Sequence, residues 1–303
     1  MGRRSAAEIP ASAPLVSVVV VVKNDRRIAR LLHCLERLPG PDSREVVVVD
    51  ASAGELDDIR SAHPDVRWIP FVPTSSISVA GQRNVGVREA RGEVIAFVDA
   101  DCVPVGDWLN ALVSPILGGS EKLVAGAIRS PEGTSSHDWH WEKYTSSRVY
   151  LDEARTGNLA VHRQVFVRLG SFDEGMRYGS DGEFTMRAAA NGTPIRFVPE
   201  ATVLHDWGGL RANVRRAFLY GEAHARLHKR HRWTRRRVLG QDFVYPAYAA
   251  FLVGLPLATV FWGYPLLLAV PLVKNRNNRP FHVVSLNLVH GLGYLRELVA
   301  PAR

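Results

Sequence analysis

Glu93-Val94-Ile95-Ala96-Phe97-Val98-Asp99-Ala100-Asp101 is the stretch on which the fold turns. An apolar run of strand length ends in two carboxylates one residue apart. Fully apolar runs suit a strand covered on both faces. Removing a carboxylate from water is costly unless something pairs with it. Asp99 and Asp101 at a strand tip therefore call for a cation, and hard oxygen ligands suit Mg²⁺ or Mn²⁺. Such a cation in turn invites a diphosphate. A bare D-x-D is a weak signal, and its weight comes from what surrounds it.

Upstream, Val16–Val22 is a β-branched run of strand length, and Ile28, Leu31, Leu32, Leu35 and Leu38 follow at helical spacing over residues 25–38. Pro39-Gly40-Pro41 stops that helix. A strand at 45–50, a short helix at 54–63, a strand at 66–72 and a helix at 79–91 lead back to the opening stretch. The alternation β-α-β-α-β-α-β predicts an α/β fold with an open, mostly parallel sheet, flanking helices and right-handed crossovers. Ligands bind such sheets beyond the carboxyl ends of the strands. Asn24, Asp50 and Asp99 sit at three of those ends. Further on, the pattern predicts a helix around 108–116, a strand at 123–128, a loop with helical pieces over 130–150, helices at 163–169 and 183–190, and strand pieces at 195–198 and 203–205.

The 303 residues suit one large domain with an appendage, or two domains, and 46% apolar content is enough for a core. Lys plus Arg outnumber Asp plus Glu by 38 to 30, giving net +8. The excess gathers between Arg211 and Arg237, either as a solvated helix face or as a contact for anionic headgroups or a phosphorylated substrate. No nucleic-acid motif accompanies it, so nucleic acid is not expected as a partner. Cys34 and Cys102 make no disulfide framework and have no metal-ligand spacing, which fits a reducing compartment. Residues 1–15 read as a disordered lead-in without the apolar core of a signal peptide.

Residues 243–273 contain no Asp, Glu, Lys or Arg, a run longer than the about 20 residues that cross a bilayer as one helix. Pro246, Pro256, Pro265 and Pro271 interrupt it, basic residues flank both sides, and a weaker apolar stretch follows at 281–294. Positive charge prefers the cytoplasmic side. The expectation is a membrane-embedded hairpin with both ends cytoplasmic, with a two-pass arrangement using 281–294 and a buried hairpin of a soluble protein as rivals. The expected layout is a catalytic domain over 16–210, a basic helical connector over 211–240 and hydrophobic membrane-associated helices over 241–303, with the catalytic domain on the cytoplasmic face of the cytoplasmic membrane.

From Val16 to about His205 the chain resembles a family 2 glycosyltransferase of the GT-A fold. The most specific stretch is Gly81-Gln82-Arg83-Asn84-Val85-Gly86, continuing through Ala90-Arg91-Gly92-Glu93 to Phe97-Val98-Asp99-Ala100-Asp101. Gly157-Asn158-Leu159-Ala160 with Arg163, Phe166, Gly170 and Phe172-Asp173-Glu174 is a second, and Asp181 to His205 a third. The resemblance implies that Asp50 accepts from a base N–H and that Asn24, Arg83 and Asp99 line the nucleotide-sugar site. It implies that Asp99, Asp101 and His205 hold Mg²⁺ or Mn²⁺, and that Asp181 takes the proton from the acceptor hydroxyl. Asp50 as a helix N-cap, Arg83 as a surface arginine and Asn84 as a brace between helix and sheet remain open beside those roles.

The family pattern usually has an acidic pair and then a third acid where this chain has Ser180-Asp181-Gly182-Glu183. That departure leaves Glu183 as a rival base or, with Asn158, as an accessory or acceptor-binding residue, or Glu183 as a first-turn acid of a helix. The implied activity is inverting transfer of a sugar from a nucleotide-diphospho-sugar to a hydroxyl of a lipid or lipid-linked glycan. A binding module without turnover is the alternative. A sugar-phosphate nucleotidyltransferase fits poorly, because the loop Lys23-Asn24-Asp25-Arg26 has no glycine. A membrane scaffold needs no converging acids.

Overall fold

The computed structural model describes residues 16–72, 79–131, 148–234, 240, 242–277 and 279–300. Their Cα positions divide into two compact units. The first takes the described residues of Met1–Pro131, Tyr144–Glu174 and Asp181–Asp206, and the second those of Glu132–Lys143, Gly175–Ser180 and Trp207–Arg303.

The first unit is built on one sheet. Strands β1 (Val16–Val22), β2 (Arg44–Asp50), β3 (Arg67–Pro70) and β4 (Val94–Val98) lie parallel in the order β3-β2-β1-β4. This is the half the β-branched runs predict, and β4 is buried at every position. Helices α1 (Ile28–Arg37), α2 (Asp57–Ala62) and α3 (Val79–Glu89) make the crossovers, and α1 turns Ile28, Leu31, Leu32 and Leu35 inward.

The other half is mixed. It adds β5 (Cys102–Pro104), β6 (Leu123–Arg129), β7 (Tyr150–Leu151), β8 (Asn158–His162) and β9 (Ile195–His205), continuing the order β4-β8-β6-β9-β5 with β7 also on β9. Strand β8 runs antiparallel between β4 and β6. β9 is one strand, not two: the register slips from Val198↔Gly126 to Thr202↔Ala127, so Pro199-Glu200-Ala201 bulges out. That bulge is why the sequence reads as two pieces. Helices α4 (Trp108–Leu117), α5 (Arg163–Leu169) and α6 (Ser180–Ala190) complete the chain order here. Phe97, Phe166, Phe172 and Phe184 pack as an aromatic cluster, with Phe166 and Phe184 stacked at 4.8 Å and Phe97 edge-on to Phe172 at 5.5 Å. The expected loop over 130–150 lies mostly outside the described residues.

The second unit is helical, with α7 (Leu210–Arg230), α8 (Val244–Val253), α9 (Ala269–Lys274) and α10 (Pro280–Val299). Helices α7 and α10 approach closely: a Cβ at Gly221 would strike the carbonyl of His290, and one at Gly293 that of Phe218. Arg226 donates to both carboxylate oxygens of Glu297 at 2.8 and 2.7 Å, and Lys229 to the Glu297 carbonyl at 2.9 Å. Part of the basic stretch is thus spent inside this unit.

The uncharged run 243–273 is not one long helix. It breaks into α8, two 3₁₀ turns at Leu255–Thr259 and Tyr264–Leu268, and α9, with Pro256, Pro265 and Pro271 marking the breaks. Among the described residues no helix is long and apolar enough to cross a membrane.

Candidate active site

The sheet carries its polar residues to the carboxyl ends of β1, β2 and β4. β1 and β2 end level, with Val22 opposite Asp50. Asn24 takes a left-handed turn at φ 53°, which asparagine tolerates. Its N–H donates to Ser52 Oγ at 2.7 Å, and the Ser52 N–H donates to Asp50 Oδ1 at 2.8 Å. Asp50 is therefore not an N-cap of the following helix but the acceptor of its own turn. Gln82, from α3, donates Nε2 to the carbonyls of Val22 and Val49 at 3.0 and 3.3 Å, clamping the helix across both strand ends.

The D-x-D turn leads straight into β5, which pairs antiparallel with the end of β9 so that Cys102 faces His205 in register. That pairing brings Asp101 Oδ1 to 3.4 Å from His205 Nε2 across a hundred residues of chain. Asp101 Oδ2 lies 3.3 Å from Arg27. Donor atoms of Asp101, Cys102 and His205 all fall within 4.8 Å of one another. Asp99, expected as a third ligand, is not in this group; its Oδ1 lies 3.9 Å from Arg83 instead. Burial pushes the Cys102 thiol well up, reinforced by Asp99 and Asp101, so it stays protonated and is a poor ligand beside them. A carboxylate and an imidazole at this spacing, with a second carboxylate close by, suit a Mn²⁺-like ion.

Arg83 sits between two acids, 3.9 Å from Asp99 and 3.9 Å from Asp181, with its guanidinium over the Phe172 ring at 5.8 Å. It is 8% exposed, not a surface arginine. Asp181 opens α6, whose Phe184 anchors the helix in the aromatic cluster. Burial works to raise the Asp181 carboxyl, but Arg83, then Arg155, then the N–H groups of Gly182 and Thr156 outweigh it and hold it below the usual range. It is ionised at neutral pH. Asp99 goes the other way. Burial raises it, Arg83 opposes, and Asp101 and Asp181 add to the rise.

Two expected site residues are committed elsewhere. Asn158 is 1% exposed. It accepts from Trp108 Nε1 at 2.8 Å and donates to the carbonyls of Ala127 and Ala201 at 2.8 and 2.7 Å. It rivets β8 to β6 and β9, and both of its amide hydrogens are spent on main-chain carbonyls, leaving none to donate to an acceptor sugar. Glu183 is fully buried and paired with Arg187 at 2.7 Å. Arg187 also donates to the carbonyls of Leu169 and Ser171, so Glu183 holds a loop and is no rival base. Asn84 braces the 172–174 loop instead of the sheet, exchanging hydrogen bonds with the Phe172 backbone at 3.0 Å and reaching Glu174 at 2.8 Å.

The sequence reading missed Arg27, Gln82 and Arg155. Arg27 carried a signal, in that it follows the first strand beside Asp25, and Gln82 lies inside the most specific family-like stretch without an assigned role; Arg155 read as an ordinary loop residue.

Residues 17–174 match the sequence profile of Glycosyl transferase family 2. A pre-mycofactocin glycosyltransferase of Mycobacterium tuberculosis is 31% identical over 232 residues, 71% of this chain and 48% of that protein, so the chain spans about half the length of this relative. The glycosyltransferase AglE of Haloferax volcanii is 25% identical over 239 residues, 74% of this chain and 78% of that protein. In fold, the chain is similar to a mannosyltransferase from Pyrobaculum calidifontis solved with GDP-Man and Mn²⁺. The TM-score is 0.69 at 17% identity, covering 97% of this chain and 89% of that one. A parallel half-sheet with acids at its carboxyl edge, and a profile match over that same region, make this chain a member of the family 2 glycosyltransferases, which transfer sugar from a nucleotide sugar.

Proposed function

We propose that the chain is a metal-dependent, inverting hexosyltransferase that moves the sugar of a nucleotide-diphospho-sugar onto a hydroxyl of a lipid or lipid-linked glycan. The observation that carries the reading is the 3.4 Å approach of Asp101 to His205, beside an Arg83 shared by Asp99 and Asp181. Asp101 and His205 would hold a Mn²⁺ or Mg²⁺ ion, which supplies Lewis-acid neutralisation of the leaving diphosphate, worth several kcal/mol. Asp50 keeps one carboxylate oxygen on its own turn and turns the other to a base N–H. Asn24 shapes the loop beneath it. Arg83 and Asp99 face the donor between the two ends of the site. Asp181, ionised at neutral pH, takes the proton from the acceptor hydroxyl. The acceptor oxygen bonds to the anomeric carbon as the bond from that carbon to the diphosphate oxygen breaks. One displacement without a covalent enzyme intermediate inverts the anomeric centre.

The reading of a membrane acceptor is supported by the surface of the second unit. Val260 and Trp262 are each 87% exposed, and Phe261, Leu266, Leu267, Val270 and Val273 are exposed beside them. Lys274, Arg276 and Arg279 follow directly. Apolar side chains next to cations suit shallow insertion into an anionic leaflet, on the cytoplasmic face of the cytoplasmic membrane.

A thermal-shift panel of nucleoside diphosphates with and without Mn²⁺ tests the donor site. One nucleotide should raise the melting temperature only with Mn²⁺, since a ligand that binds the folded state stabilises it. Asp101→Ala should abolish that rise. Equal stabilisation with and without metal, or none from any nucleotide, would overturn the reading.

A further inference from the structure

The second unit holds a cluster for which the transfer reaction has no use. His224 and His228 are four residues apart on one face of α7. Both rings aim at the same oxygen of Asp242: His224 Nδ1 at 4.0 Å and His228 Nε2 at 3.6 Å. Asp242 is 3% exposed and His228 6%. All three donor atoms lie within 4.8 Å of one another. Two ligands on a tetrahedral zinc ion stand about 3.3 Å apart, so the two His–Asp separations of 4.0 and 3.6 Å need only small side-chain movements to close.

The hydrogen bonds behind His228 decide what faces Asp242. The single proton of the Thr234 hydroxyl is directed to the His231 carbonyl at 2.7 Å. At 3.2 Å from His228 Nδ1, the hydroxyl must therefore accept, and Nδ1 carries the hydrogen. In a neutral ring that tautomer leaves a lone pair on Nε2, pointing at a buried carboxylate. The ring of His224 is fixed as well, stacked on Tyr245 at 3.9 Å. A metal-binding histidine usually donates its other ring N–H to an acceptor, as His228 Nδ1 does to Thr234 here.

We propose that His224, His228 and Asp242 form a second divalent-metal site. Two imidazoles and one carboxylate select a zinc-like transition ion over Mg²⁺, with a water in the fourth position. The site ties α7 to the start of α8.

The test uses the full-length chain carrying Asp101→Ala, which removes the carboxylate of the other donor cluster. The protein is stripped with a chelator, dialysed and titrated with zinc, with Mn²⁺ in parallel. One equivalent of zinc should bind in preference to Mn²⁺ and raise the melting temperature. His228→Gln and Asp242→Asn should each weaken zinc at least about a hundredfold. Thr234→Val, which removes the group that sets the tautomer and leaves all three donor residues in place, should weaken it about tenfold. Zinc that is absent from the Asp101→Ala chain overturns the proposal. Zinc held undiminished by His228→Gln and Asp242→Asn overturns it too. Should those variants fail to fold, cobalt(II) loaded into the Asp101→Ala chain gives a separate reading: intense visible absorption of a tetrahedral ion supports the site, and a pale octahedral spectrum rejects it.

Discussion

Asp181→Asn separates chemistry from structure more cleanly than any other change in the site. Asp181 Oδ1 accepts from the Gly182 N–H at 3.0 Å, a bond the asparagine oxygen can keep. Oδ2 has only long contacts, to the Thr156 N–H at 3.4 Å, its hydroxyl at 3.5 Å and Arg83 at 3.9 Å. Replacing that oxygen with an NH₂ group forfeits weak interactions and puts a donor against donors, which costs about 1 kcal/mol of stability. Loss of a general base costs about 10²–10⁴ in rate, or about 2.7–5.4 kcal/mol of transition-state stabilisation. The variant should therefore melt close to wild type and bind nucleoside diphosphate with Mn²⁺ as tightly, while nucleoside diphosphate release from the donor sugar falls at least a hundredfold. Release can be followed without knowing the acceptor, because water substitutes slowly for it. If wild type and variant hydrolyse the donor equally slowly, the base assignment is wrong and the binding-module alternative gains.

Three further outcomes follow from the same geometry. Asp99 is raised in the folded state by burial, with Asp101 and Asp181 adding and Arg83 opposing. A raised acid favours folding while protonated and counts against it once pH has risen through its folded value. Asp99→Asn should thus raise the melting temperature of the metal-free chain at pH 7 relative to wild type. The difference should fade below the unfolded value of 3.8, and nucleotide stabilisation with Mn²⁺ should weaken; an unchanged melting temperature at pH 7 removes the argument. Asn158→Ala strands the Trp108 N–H and two buried carbonyls and should cost about 3–5 kcal/mol in denaturant unfolding. A rise in acceptor KM with stability intact would instead restore the acceptor-binding role. Phe261→Ser with Trp262→Ser should release the chain from anionic vesicles, since each apolar side chain lost removes about 2 kcal/mol of insertion energy, about thirtyfold in partition. Unaltered sedimentation of the double variant would count against membrane docking through this surface.

The parallel half of the sheet was legible because strands buried on both faces have no polar alternation to obscure them, as in Val16–Val22 and Val94–Val98. The mixed half was not. β5 has three residues and β7 two, too short for any period to show. β8 begins with the buried Asn158, and β9 carries Pro199 and Glu200 in its bulge. The first three acids of the site could be placed because strand ends are where such sheets bind ligands. The commitments of Asn158 and Glu183 could not, because a polar residue in a motif looks the same whether it faces a substrate or a buried carbonyl. Only its partners, Trp108, Ala127 and Ala201 for one and Arg187 for the other, tell them apart.

The same partners give a physical reason why the proposed donor site would take a divalent ion. Asp25, Asp99, Asp101 and Asp181 bring four carboxylates, and Arg27, Arg83 and Arg155 three guanidiniums, with Arg27 and Arg83 each shared. Arg83 lies between Asp99 and Asp181, and Arg27 is also held by Asp25 at 2.7 Å. The cluster is thus already short of positive charge before a diphosphate adds at least two more negatives. Arg27 approaches Asp101 at Oδ2, whereas His205 faces Oδ1. On the proposed reading, an ion held by Oδ1 and the imidazole would leave the Arg27 pairing intact and add to its charge, and the donor's own charge is what would make that second cation necessary.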